Sequence, residues 1–346
     1  MSGRVVLRVG PDDVGSRVVL RRVAAGGRYV DLLGELVSWA DGVARVRTRA
    51  GEASVPIDQV IAGRLVPPPP SRRRPKYLAL GLEALEDVAA DGWRPFELAW
   101  LGGQGTGWRL RAAGGFTGRA NSALTTGDPQ LTVSQAISAV EAWYADRGLT
   151  PRFAVTWALD ARGSELDAEL AARGYALDTP TFVMTAATRE VAAATLGPGS
   201  APPGLRVDLA DEPDGAWLGV YRYRGSPLPD VARRVLMSAP AQTFVSVRDG
   251  DRTVAVGRGA SSRGWTGVTA MQVEDSHRGR GLGREVLGAL AGWALARGDR
   301  AAYLQVAEAN LVARRLYSSV GFVPHHGYHY RRKPSHQPQT TLSSGM

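Results

Sequence analysis

A short run of glycine and arginine, Arg278-Gly279-Arg280-Gly281-Leu282-Gly283, has the composition of an anion cradle. Glycine lets backbone approach a phosphate closely, and the unpaired N–H groups and dipole of a following helix favour negative charge. Arg278, Arg280 and Arg284 surround the run with positive charge. Before it stands GWTGVTAMQV (264–273), which reads as a strand. After it, from Leu282, the apolar residues Val286, Leu287, Leu290, Trp293 and Ala294 fall at helical spacing. Three anion-binding turns share this strand–turn–helix setting. A dinucleotide turn needs G-x-G-x-x-G, which fails at Val286 when started at Gly281 and at Arg284 when started at Gly279. A P-loop needs a terminal Gly-Lys-Ser/Thr, which is absent. The pattern that remains is R-x-x-G-x-G.

A second cluster follows. Ala301–Val306 reads as a strand, Asn310 stands where it caps a helix that runs to about Ser319, and Tyr317 lies two turns into that helix. Gly321-Phe322 then stops the helix, and VPHHGYHYRR returns as a strand. The R-x-x-G-x-G run resembles the pyrophosphate loop of the GNAT superfamily of N-acetyltransferases. The order strand, Asn, helix, Tyr, Gly-Phe resembles the second half of that superfamily's cofactor site. The resemblance implies direct transfer of an acetyl group from acetyl-CoA to a primary amine, on a small molecule or on a protein lysine or N-terminus. It implies that Arg278, Gly279, Arg280, Gly281, Leu282, Gly283 and Arg284 hold the pyrophosphate. It further implies a pantetheine arm paired with backbone at Met271, Gln272 and Val273, between splayed strands that end at Val273 and Val306. Asn310 and Ala313 would contact the arm. Tyr317 would be the general acid, its phenol beside the thioester sulfur as the thiolate leaves.

The general base is not marked in the same way. Many GNAT members carry a carboxylate in the middle of the strand before the loop, and residues 264–273 contain none. Glu274 follows the strand and is the candidate base, with Glu308 behind it; a water chain or an acid from another segment is the other route. His325, His326 and His329 lie on a strand pattern where only alternate residues share a face, and no nearby carboxylate or thiol completes a metal site. They are expected to face the surface or the substrate, and no metal is expected. A binding or regulatory protein that responds to acetyl-CoA, with little or no turnover, is the alternative function.

The elements around these residues divide the chain. VPPPPSRRRPK (66–76) reads as a stiff linker, TLGPGSAPPG (195–204) as a second break, and the polar tail after Lys333 as disordered. Residues 1–66 hold several short strands with Gly and Asp turns, the pattern of a small antiparallel β-barrel of Tudor or Src-homology type. There Arg45, Arg47 and Arg49 alternate along one strand as a solvated edge, and only Tyr29 and Trp39 are on hand for an aromatic cage. In residues 77–198 a helix at Tyr77–Asp91 leads to a strand pair, a helix at Val133–Arg147, the strand PRFAVTWALD, the helix SELDAELAARG and the strand YALDTPTFVMTA. That order copies the end of residues 204–333 but lacks R-x-x-G-x-G. It reads as a degenerate GNAT-like unit that binds no pyrophosphate, with the turn GFTGRANS (115–122) at the acceptor pocket. The expected architecture is therefore α+β. A mixed, splayed GNAT sheet flanked by helices is joined to a degenerate copy and a small barrel, as a monomer with pseudo-dimeric halves or as a dimer.

Composition narrows the classes. The chain has 346 residues, 44% apolar and 22% charged, and no cysteine. Disulfide scaffolds, thiolate metal sites and cysteine nucleophiles are excluded. No apolar run reaches a membrane span and the start has no signal-type apolar core, so a soluble cytoplasmic protein is expected, without a membrane partner. The net charge of +9 divides as +7 over residues 1–76, −5 over 77–198 and +7 over 199–346. The basic ends suit polyanions: CoA phosphates at the C-terminal end, and nucleic acid as a further partner for the barrel. The acidic middle suits a cationic acceptor.

Overall fold

Alternation of apolar and polar residues folds the start of the chain into five antiparallel strands in the computed structural model. The structure describes residues 9–23, 29–48, 51–66, 78–195, 204–222, 225 and 227–333. The linker from 67 to 76, Arg49, Tyr77, most of the break at 195–204 and the tail from 334 lie outside the described residues. Two units are separated between Pro75 and Lys76.

In the first unit the strands are β1 (Arg17–Val23), β2 (Tyr29–Ala40), β3 (Val43–Thr48), β4 (Gly51–Pro56) and β5 (Val60–Leu65), in the order β4-β3-β2-β1-β5. Val18, Leu20, Leu36, Ala44, Val46, Val55 and Val60 form its core. Asp41-Gly42 turns β2 into β3 with φ of 53° and 72°, the two-residue hairpin that Asp-Gly favours. Arg45 and Arg47 are exposed, and Arg47 pairs with Glu35 across the ladder at 3.2 Å. The sheet is antiparallel as expected, but its pairings leave β4 and β5 as edges, so closure into a barrel is not established among the described residues.

The second unit is built on one eleven-stranded sheet. Its first part supplies helix α1 (Leu82–Asp91), strands β6 (Glu97–Leu101), β7 (Trp108–Ala112) and β8 (Ala123–Leu124), and helix α2 (Val133–Ala145). Strand β9 (Arg152–Trp157), helix α3 (Glu165–Ala172), strand β10 (Ala176–Ala187) and helix α4 (Thr188–Thr195) complete it. The later part runs through β11 (Leu205–Ala210), α5 (Gly215–Val220), α6 (Val231–Leu236), β12 (Ala241–Asp249), β13 (Arg252–Ser262) and β14 (Trp265–Val273). It ends with α7 (Leu282–Ala296), β15 (Ala301–Ala307), α8 (Leu311–Ser319) and β16 (Val323–Arg332). The order is β11-β12-β13-β14-β15-β10-β16-β9-β8-β7-β6.

The two halves exchange their last strands. β10, from the first half, pairs antiparallel with β15 of the second, and β16, from the second half, pairs antiparallel with β9 of the first. β10 and β16 also pair with each other. One face of the sheet is covered by α4, α7 and α8 around Val245, Val286, Leu287, Leu290, Leu304 and Phe322, and by α2 and α3 around Ile137, Val140, Phe153 and Leu170. Full burial of each such side chain is worth about 1.5–3 kcal/mol. The other face is covered by α1 and by α5 and α6, with Leu85, Tyr303 and Tyr328 in one cluster and Trp93, Trp217 and Phe244 in the next.

Polar side chains pin the exchanged strand. His329 Nε2 donates to Asp167 Oδ1 at 2.6 Å, and Arg331 donates to both oxygens of the same carboxylate at 2.7 and 3.0 Å. Hydrogen bonds from Arg331, joined by those from His329, hold the Asp167 carboxyl below the usual carboxylate range. A depressed value stabilises the fold above the unfolded-state pKa and is lost as pH falls through the folded one. Asp167→Asn is therefore expected to cost about 1–3 kcal/mol at pH 7. In urea titrations the gap to the parent protein should narrow as pH drops below about 4. A gap independent of pH would remove the charge from this account.

Candidate active site

The parallel pairing of β14 with β15 stops early. It runs only from Trp265 opposite Ala301 to Val268 opposite Leu304. β15 continues straight because β10 holds its other edge through Gln305, Val306 and Ala307. β14 turns away at a bulge, where the ladder with β13 shifts register and Ala270 takes a φ of 52°. A positive φ on a residue with a side chain is a strained conformation that the surrounding packing has to impose. From Thr269 to Val273 the edge of β14 that faces β15 has no strand partner, so its backbone groups are placed to pair with an extended ligand.

A cavity of about 600 Å³ opens from this splay toward the start of α7. Met271, Gln272, Val273, Arg278, Gly279, Gly281, Leu282, Gly283, Arg284, Asn310 and Ala313 line it, together with Tyr317. Of the residues singled out in the sequence for a cofactor, only Arg280 is outside the lining; it sits 3.8 Å from Asp249. Gly281 is the N-cap of α7, with φ of 83° and no side-chain cap. A Cβ on Gly279 or Gly281 would meet nothing within 4 Å, so the turn presents bare backbone to the cavity. The N–H groups of Leu282 and Gly283 precede the first helical hydrogen bond and are available to an anion. The arginines differ in their duties. Arg278 pairs with Asp275 at 2.6 Å, whereas Arg284 donates to Ala194 O and Ser319 Oγ and so braces α7 against α4 and α8.

Asn310 caps α8, its Oδ1 accepting from Ala313 N at 3.1 Å. Tyr317 lies on the same helix, packed edge-on against Phe322, and burial pushes its phenol up to about 12. His277, Val312 and Leu316 also line the cavity and were not singled out in the sequence. For the last two the signal was present: Val312, Ala313, Leu316 and Tyr317 form one helical face. Val312 is 79% exposed and Leu311 54%, leaving an apolar first turn at the cavity mouth.

Among the described residues, the corresponding place in the first half is tied shut. Its β8–β9 pairing is shorter, two residue pairs against four, but Thr125 N and Thr125 Oγ1 both donate to Ala154 O, at 3.3 and 2.9 Å, and tie the strands at the point where they would part. Thr132 and Gln135 form a capping box that takes up the donors at the start of α2. Asp128 N donates to Thr106 O, which holds the preceding loop down.

Both sequence-derived candidate bases are engaged by arginine. Glu274 is 2.7 Å from Arg252 and lines a separate groove of about 430 Å³; Glu308 is 2.8 Å from Arg162, whose hydrogen bond lowers its carboxyl pKa. The histidines do not face the surface. His326 and His329 are buried and His325 is half-buried. The reason is the strand exchange, which places β16 inside the sheet between β10 and β9.

The turn at 115–122 is locked by Asn121. Its Oδ1 accepts from Ala113 N and Gly115 N at 2.7 and 2.9 Å, and its Nδ2 donates to Phe116 O and Thr117 O. The turn delivers Arg119 to a hydrogen bond with Gln305 on the splayed arm of β15. Two further arginines lie on this face. Arg111 donates to Ser122, and Arg258 donates to Gly92 O at 2.9 Å and stacks on Trp93; burial lowers both, Arg258 to about 10. Of residues 77–198, Arg111 and Arg119 thus stand with Glu86 beside Gln305, a mixture that the net −5 of the segment does not describe.

The fold and the cavity define an acyltransferase, an N-acetyltransferase of the GNAT superfamily. The chain belongs to the family described as "Probable histone acetyltransferase Rv0428c C-terminal", whose model matches residues 81–331. It is 32% identical over 329 residues to the Mycobacterium tuberculosis protein named probable histone acetyltransferase Rv0428c, covering 92% of this chain and 94% of that one. It is 29% identical over 266 residues to the uncharacterized N-acetyltransferase YobR of Bacillus subtilis, covering 73% and 98%. Among solved structures, a GCN5-related N-acetyltransferase from Kribbella flavida shares the fold with a TM-score of 0.54 at 17% identity, covering 74% and 97%. No helix among the described residues is long and apolar enough to cross a membrane.

Proposed function

We propose that the protein moves an acetyl group from acetyl-CoA to a primary amine, carried by a small molecule or a protein, by direct transfer. The observation that carries this reading is the bare glycine turn at the start of α7, opening into a cavity that reaches Tyr317. The fit to the donor is chemical. The backbone donors of Leu282 and Gly283, with Arg278, suit a pyrophosphate, and the unpaired edge of β14 suits the amides of a pantetheine arm. The exposed Leu311 and Val312 give the donor an apolar rim. Residues 77–198 act as a half that binds no cofactor and supplies Trp93, Arg111 and Arg119 to the acceptor side.

Tyr317 is the group for the leaving thiolate. With its phenol near 12 it keeps its proton at neutral pH. A thiolate, with a pKa of about 8.5, is too weak a base to take that proton fully, so Tyr317 stabilises the developing charge by donating a hydrogen bond.

A side chain at Gly281 would enter the cradle and strain a positive φ. Gly281→Val is expected to weaken acetyl-CoA binding in calorimetry at least tenfold, about 1.4 kcal/mol, while circular dichroism still reports a folded chain. The parent protein should titrate with one site per chain. Unchanged affinity in the folded variant, or two equivalent sites in the parent, would sink the assignment. Tyr317→Phe should lower kcat by about 10²-fold or less and leave acetyl-CoA affinity nearly unchanged. A variant that loses binding and keeps its residual rate would make Tyr317 a packing residue.

A further inference from the structure

Transfer to an amine requires that the amine lose a proton, and the two candidate bases read from the sequence, Glu274 and Glu308, are engaged by Arg252 and Arg162. A third carboxylate is buried on the opposite face of the sheet. Glu86, on α1, is 5% exposed, and its Oε1 lies 2.9 Å from His326 Nε2. His326 Nδ1 lies 2.8 Å from His325 Nδ1, and His325 Nε2 donates to Leu80 O at 2.8 Å. The three contacts lie in series, so a proton can pass from the Glu86 carboxyl through the two nitrogens of His326 to His325. Moving that proton along the chain breaks one N–H or O–H bond and forms the next, with no net charge change until it leaves at half-buried His325.

The inner end of this chain adjoins the splay. Gln305 is the first residue of β15 beyond the last pair with β14, and its side chain turns to the α1 face. There Gln305, Arg119, Arg111, Tyr330 and Glu86 line a small polar cavity of about 10 Å³, room for about one water. We propose that Glu86, His326 and His325 form a relay that carries the acceptor's proton from the splay, through this cavity, to solvent. The amine N–H bond breaks toward the cavity water, the water passes a proton to the Glu86 carboxylate, and His325 gives its Nε2 proton to solvent as its hydrogen bond to Leu80 O opens. The charged and titratable groups that face the relay are Arg111 from β7, Arg119 from the 115–122 turn, Tyr303 from β15, and Tyr328 and Tyr330 from β16. This inference rests on the acetyl-transfer reading.

The test compares thiol release from acetyl-CoA in the parent protein, Glu86→Gln and His325→Gln across pH 6 to 10. Parent activity with any amine tests the transfer itself; a parent inert toward every amine overturns that reading and the relay together. With an active parent, Glu86→Gln is expected to lower kcat about 10²-fold, with KM for acetyl-CoA within about twofold. Its rate should then climb about tenfold per pH unit toward the amine's own pKa. His325→Gln leaves the buried Glu86–His326 bond intact, so it folds even if Glu86→Gln does not. It is expected to lower kcat about tenfold and to shift the pH profile upward in the same sense. A folded His325→Gln with the parent's kcat and pH profile would reduce the chain to a structural staple, whatever Glu86→Gln does.

Discussion

The exchange of β10 and β16 is the constraint on which the rest of the unit depends. A splay between two parallel strands leaves backbone groups without partners, and such a gap survives only if each strand is held on its other edge. β14 is held by β13, and β15 is held by β10, a strand from the other half of the chain. Without β10, β15 would be an edge strand with an unpaired ladder on both sides of its outer end. The same exchange buries β16, so residues that would be rim groups in a single half become interior groups of the whole. Gly327 shows how closely it fits: a Cβ there would fall 2.0 Å from the Trp157 ring on the neighbouring strand.

Two halves that share the order of three strands, helix, strand, helix and strand thus differ at the corresponding places through small local differences. At the start of α7 a glycine cap with positive φ leaves donors uncommitted, whereas at the start of α2 a Thr–Gln box consumes them. At β14 a bulge turns the strand away from its neighbour, whereas at β8 Thr125 ties it back to Ala154. One half holds an open cavity, and the other closes its gap with its own side chains. The closed half still shapes the site, because the Asn121-locked turn extends Arg119 to Gln305 and α1 roofs the far face of the splay.

That far face concentrates buried polar groups. Arg258, Arg111, Glu86 and His326 are each almost fully buried, at a desolvation cost that only hydrogen bonds and neighbouring charge offset. Arg258 leans on Trp93 and Gly92 O, Arg111 on Ser122, and Glu86 on His326. A hydrophobic interior would have been simpler to stabilise. Glu86 and Arg111 lie beside Gln305, where they line one small cavity with Arg119.

The cavity at the start of α7 was legible in the sequence because its parts are local. R-x-x-G-x-G, the Asn cap and Tyr317 each lie within one turn or one helix, where spacing dictates which backbone groups and side chains come together. Helix and strand order was legible for the same reason, including the copy of the β9–α3–β10 order in β15–α8–β16. Which strand each element would pair with was not, since β10 and β16 carry the same alternation whether they close their own half or the other. The histidines therefore read as facing the surface or the substrate, and His326 and His329 proved buried, with His325 half-buried. Segment charge likewise could not say which side chains stand beside Gln305, where Arg111, Arg119 and Glu86 line one small cavity. Pattern settles which face of an element is apolar; only the tertiary pairing decides what that face meets, because contacts between residues far apart in the chain depend on topology that no local spacing encodes.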